Sequence, residues 1–154
     1  MIPEFQTLDD TEIELVFKAP ILVCILIAGA DGTIDRKEIK EAVSITQKQK
    51  KSQSVLTPYF RELSEDFEDK IKIIIQSYPY ESTQRTPLIV DELSRLNKLW
   101  KRLDKNFSIA LYEMLKTVAE KVASSSGGLL GIKTVGMEEA QYLELPMIQD
   151  PAKI

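Results

Sequence analysis

The sequence predicts an all-α protein, a single compact domain of about seven helices arranged as two degenerate helix–turn–helix halves. Three observations lead there. Apolar residues recur at steps of three and four over long stretches, as in Ile89, Leu93, Leu96, Trp100 and Leu103, which is the spacing of one helix face. The run from Ile21 to Ile27 is apolar all round, the mark of a helix at the centre of a core. Turn-forming residues, Asp31-Gly32 in one half and Ser126-Gly127-Gly128 in the other, close two of these stretches. A chain of 154 residues with 44% hydrophobic content suits one domain able to bury a core. The first half spans about 7–77, the second about 87–146, and 147–154 follow as a tail.

The first helix starts near Thr7 or Thr11, each followed three residues later by an acidic residue, Asp10 or Glu14, in capping-box spacing. Its inner face holds Ile13, Val16 and Phe17. Pro20 lacks a backbone donor, so it begins a new helix or kinks this one. The Ile21–Ile27 helix then ends in small residues, Ala28, Gly29 and Ala30, and the Asp31-Gly32 turn. A third helix is expected from about Asp35 to Lys48, with Ile39, Ala42 and Val43 inward and solvated lysines at its end.

Thr57-Pro58 reads as an N-cap followed by proline at the first helical position. Ser64-Glu65-Asp66 restarts a helix through Ile75, although residues 71–75 also have the β-branching of a short strand. Residues 78–87 form the interruption between the halves. From Pro87 an amphipathic helix of about four turns carries Ile89 to Leu103. Asp104 caps the next one, whose stripe is Phe107, Leu111, Met114, Leu115, Val118 and Val122. A last helix begins near Met137 and holds Leu143 and Leu145 before Pro146.

The missing residues narrow the chemistry. The chain has no histidine, which removes Ser-His-Asp and Cys-His catalysis and every His-containing zinc site. Its single cysteine, Cys24, lies in an apolar run and cannot build an internal disulfide or a Cys-rich metal centre. Any metal is therefore a hard, oxygen-ligated one such as calcium, magnesium or manganese. With 20 basic and 24 acidic residues the net charge is −4, not the basic balance of a nucleic-acid binder. Lys98, Lys101, Arg102 and Lys105 cluster beside Trp100, and the expected arrangement is a core Trp edged by snorkelling basic chains. The apolar run from Ala19 to Ala30 falls short of the roughly twenty residues needed to span a bilayer. Met1 to Asp10 already carries Glu4, Asp9 and Asp10 rather than a basic leader, so the expectation is a cytoplasmic protein.

Ala30 to Glu38 reads as the second half of an EF-hand-like loop without the first. Placing Gly32 at loop position 6 puts Asp31 at 5, Asp35 at 9 and Glu38 at 12, but leaves Ile27 at 1 and Gly29 at 3, neither of which offers a carboxylate. That excludes a high-affinity calcium loop and leaves an acidic turn whose remaining ligands would come from elsewhere. Asp35 and Glu38 also have the spacing of a capping box, and Glu138 and Glu139 suit the first turn of a helix on dipole grounds alone.

The two halves repeat imperfectly, Ile27–Gly32 lying over Val122–Gly127, with Ser126 opposite Asp31. In the stretch Leu26 to Glu38, and in Ser126-Gly127-Gly128-Leu129-Leu130-Gly131-Ile132 followed by Glu138-Glu139, the chain resembles the TerB-like family of tellurite-resistance-associated helical domains. The resemblance covers about Leu8 to Leu145. It implies an all-helical domain without established catalytic activity and a divalent-cation site near the two turns. Asp31, Asp35 and Glu38 correspond to its first acidic cluster, and Glu138 and Glu139 to its second. Ser126 stands where the family often has aspartate. The function implied is a non-enzymatic binding or scaffold domain with protein partners, acting in a stress-response assembly. Two alternatives stay open: a hydrolase using carboxylate-bound magnesium or manganese, and a purely structural homo-oligomerisation module.

Overall fold

Burial of one helix organises the structure, a computed structural model that describes residues 2–28, 44, 55–127 and 142–153. Helix α1, Asp10–Ala28, carries the whole run from Ile21 to Ile27, each residue at most 1% exposed. Around it lie α2 (Thr57–Glu65), α3 (Phe67–Ser77), α4 (Ser82–Ser94), the single turn α5 (Leu96–Leu99) and α6 (Lys105–Gly127). Among the described residues there are thus five helices longer than one turn and no strand, so the fold is all-helical. The helix expected over 35–48 lies outside the described residues except for Ser44, which is helical.

The start of α1 corrects the expected cap. Asp9, not Thr7 or Thr11, closes the box: the Glu12 amide donates to Asp9 Oδ1 at 2.9 Å, and the Asp9 amide donates to Glu12 Oε1 at 3.0 Å. Thr7 Oγ1 instead donates to the Arg102 carbonyl at 3.0 Å, and Arg102 pairs with Glu12. These contacts tie the beginning of α1 to the turn that leads into α6.

Pro20 does not begin a new helix, because α1 runs through it. A proline inside a helix costs about 3 kcal/mol or more through the missing donor and ring crowding, while each large apolar side chain buried returns about 1.5–3 kcal/mol. The seven residues after Pro20 therefore outweigh it. The missing donor is also replaced. Position 20 would normally bond the carbonyl four residues earlier, that of Val16, and the Tyr59 hydroxyl donates to the Val16 carbonyl at 2.8 Å in a buried contact. Tyr59 stacks on Phe17 with ring centroids 5.2 Å apart and meets Phe107 edge-on at 6.0 Å; Phe5 bridges Phe17 and Phe107. One aromatic cluster thus joins the N-terminal segment, α1, α2 and α6.

Thr57 is inside α2 rather than capping it, with Leu56 at the cap and Pro58 in the first turn, where its missing donor is harmless. Asp66 restarts the chain as α3, and residues 71–75 are helical rather than a strand. Helix α4 begins at Ser82, not Pro87, so that proline is internal as well. Glu81 receives the first amides, those of Gln84 and Arg85, and the buried Arg85 guanidinium donates to the Tyr80 carbonyl at 2.6 Å, holding the entry turn. The expected four-turn helix is broken at Arg95, whose amide bonds back three residues to Glu92. Its stripe survives the break: Ile89, Leu93, Leu96, Trp100 and Leu103 are all buried.

Asp104 caps α6 as expected, its Oδ2 accepting from the Phe107 amide at 3.1 Å, and the α6 stripe is buried throughout. The expected last helix does not reach Leu143 and Leu145. Residues 142–144 form a turn, and Leu145 takes φ 49°, a left-handed conformation held by its complete burial. The segment set apart as a tail is docked. Asn97 Nδ2 donates to the Met147 carbonyl at 3.0 Å, its Oδ1 accepts from the Gln149 amide at 2.7 Å, and Trp100 Nε1 donates to the Gln149 carbonyl at 2.9 Å. Trp100 is a core residue with a satisfied indole, while Lys98, Lys101, Arg102 and Lys105 are exposed.

Candidate functional site

The acidic residues Asp31, Asp35, Glu38, Glu138 and Glu139 lie outside the described residues, as does the Asp31-Gly32 turn; of the second expected turn, Ser126 and Gly127 are still helical at the end of α6, and Gly128 lies outside the described residues. What the structure places is the element leading to the first cluster. Helix α1 ends at Ala28, immediately before the Gly29-Ala30-Asp31 sequence, and its residues 21–27 are all buried. Among the described residues no group of three or more Asp, Glu or Cys side chains comes together to hold a metal.

Two surface grooves flank α1. The first, about 350 Å³, lies between α1 and the α4–α5 segment and is lined chiefly by charge, including Glu12, Lys18, Glu92, Arg95, Lys98 and Arg102. Most of that charge is matched internally. Lys18 pairs with Glu92 at 3.1 Å, Arg95 with Asp91 at 3.0 Å, and Arg102 with Glu12. The second groove, about 580 Å³, lies between α1 and α3 and is more apolar, with Ile13, Phe17, Ile21, Ile73 and Ile74 in its lining.

Between the grooves sits a clasp of three elements. Glu92 on α4 accepts a hydrogen bond from the Tyr78 hydroxyl at 2.8 Å and the ion pair from Lys18 on α1, whose ammonium also lies 5.4 Å from the centroid of the Tyr78 ring. Burial, reinforced by the bond to Glu92, raises the Tyr78 pKa well above that of an ordinary phenol, so it acts here as a hydrogen-bond donor and not as a base. Burial likewise raises Tyr59, and it raises Tyr112 despite the opposing charge of Lys116. Sequence reading missed this clasp because its members are far apart along the chain. The one available signal was Lys18, a cation set within the apolar stretch Val16 to Ile27.

The raised tyrosines have a consequence for pH. Unfolded tyrosines lose their proton near pH 10, whereas these keep it in the folded state. Above about pH 10 the unfolded chain binds fewer protons, so stability is fully present below that pH and falls as pH rises through it. Urea midpoints measured from about pH 8 to pH 11 are expected to hold level and then decline, and the decline is expected to be shallower in Tyr78→Phe.

Comparisons with protein-family models, with curated proteins and with solved structures find no match for this chain.

Proposed function

We propose that this chain is a non-enzymatic binding or scaffold domain of TerB type whose acidic turn takes a divalent cation weakly, and that it works with protein partners in a cytoplasmic stress-response assembly. The observation that carries the reading is the rooting of α1. A helix buried over Ile21–Ile27 and ending at Ala28 fixes the chain in the core three residues before Asp31 in the sequence. The all-helical fold and the close packing of α1 on α6, the long core helices of the two halves, accord with the resemblance. On this reading the fold has about seven helices, those beyond the described ones being expected over 35–48 and from Met137.

Asp31, Asp35 and Glu38 would hold the cation, with Glu138 and Glu139 as further carboxylates. All five are hard oxygen donors suited to calcium, magnesium or manganese. The ion would supply charge that draws the acidic segments together. With Ile27 and Gly29 at the first two ligand positions, affinity is expected to be no better than roughly 10⁻⁴–10⁻³ M. Calorimetric titration of metal-free protein with each of the three ions tests this. Asp31→Asn is expected to remove the binding heat with little change in stability, whereas Asp35→Ala is expected to lose the heat and also about 1 kcal/mol through a lost helix cap. Absence of heat with all three ions removes the cation from the proposal.

A further inference from the structure

The apolar groove between α1 and α3 has no role in the reading above, and it combines two features that point to an occupant. The first is uncovered apolar surface. Ile73 on α3 is 66% exposed, beside the half-buried Ile74 and facing a groove lined from α1 by Ile13 and Phe17 with the buried Ile21. A large aliphatic side chain left in water beside a concave apolar lining forgoes stabilisation that a docked apolar chain would recover.

The second feature is the charge of the rim. Four charged residues line the groove, Asp10, Glu14, Lys18 and Lys70. Both cations are already matched by carboxylates, Lys18 by Glu92 at 3.1 Å and Lys70 by Asp66 at 3.6 Å. Asp10 and Glu14, one helical turn apart on α1, enter no ion pair among the described residues. The rim therefore presents uncompensated negative charge along its α1 side.

We propose that this groove docks an amphipathic helix of a partner protein, with aliphatic side chains at i, i+3, i+4 and i+7 set against Ile13, Phe17, Ile73 and Ile74 and with lysine or arginine flanking them toward Asp10 and Glu14. Such a helix presents its apolar side chains in one row, facing the apolar lining that α1 and α3 contribute, and its basic flanks complete the unpaired carboxylates. A volume of about 580 Å³ accommodates a few large aliphatic side chains. The inference stands on the α1–α3 surface alone and does not depend on cation binding at the acidic turn.

The probe is a fluorescein-labelled eighteen-residue peptide with leucines at those positions and lysines on the flanks, titrated with the full chain and followed by fluorescence anisotropy. Its controls are a peptide of the same composition with the leucine spacing scrambled and one with glutamate in place of lysine. Saturable binding of the basic peptide, at least about tenfold tighter than either control, is expected, with about tenfold loss in Ile73→Ser and again in Asp10→Asn/Glu14→Gln. Ile73 and Asp10 are exposed, so both variants keep their helical circular dichroism. Equal binding of the three peptides, no binding, or affinity unchanged in both variants overturns the proposal. So does a sedimentation profile in which the chain alone self-associates and Ile73→Ser makes it monomeric, since the groove would then serve a second copy.

Discussion

Leu26→Asp is expected to abolish cooperative unfolding. Leu26 is 1% exposed within the buried run of α1, the helix on which α3, α4 and α6 pack. The substitution removes about 1.5–3 kcal/mol of apolar burial and places an unpaired carboxylate where no water reaches it, a penalty of several kcal/mol more. Together these approach the roughly 5–15 kcal/mol that holds a domain of this size folded. Guanidinium titration followed by circular dichroism is expected to show no sigmoidal transition. A soluble variant with an unchanged thermal midpoint would refute the central placement of α1.

Tyr59→Phe is expected to destabilise the fold by about 1–3 kcal/mol, the cost of leaving a buried carbonyl without a donor. The reason is local to Pro20. Because proline offers no amide to Val16, the Tyr59 hydroxyl is the donor that replaces it. Pro20→Ala restores the amide, so the same Tyr59→Phe change in that background should cost appreciably less. A double-mutant cycle in urea reads the difference as a coupling energy of about 1 kcal/mol or more. Additive losses would show that the hydroxyl and the proline act independently, contrary to this account.

The same pair shows where sequence reading reached and where it stopped. Helical stripes were legible because burial repeats every three or four residues, and Phe107 to Val122 lie inward as the spacing requires. Asp104 as a cap was legible because its signal is short-range, while of Ser64-Glu65-Asp66 only Asp66 stands at the restart and its side chain makes no cap bond. The prolines misled for the complementary reason. Local sterics make Pro87 a helix start and Pro20 a helix start or a kink, yet α1 and α4 pass through them, and at Pro20 the compensating donor comes from another helix, forty-three positions after the Val16 carbonyl it bonds. The cap at Asp9 over its neighbours is settled by contacts that Thr7 and Glu12 make with Arg102. The Lys18–Glu92–Tyr78 clasp was illegible because no spacing connects positions separated by 74 and 14 residues. Of the candidate site, the sequence supplied the residues Asp31, Asp35, Glu38, Glu138 and Glu139, and the structure supplied the rooted helix that precedes the first of them.

The most direct measurement of the proposed function is a calcium titration of ¹⁵N-labelled, metal-free protein followed by amide chemical shifts. Saturable shifts are expected over residues 31–38 and at Glu138 and Glu139, fitting one dissociation constant no tighter than about 10⁻⁴ M and lost in Asp31→Asn. Shifts confined to residues outside the two acidic segments would contradict the proposed function, as would shifts absent up to about 10 mM calcium together with no binding heat from magnesium or manganese.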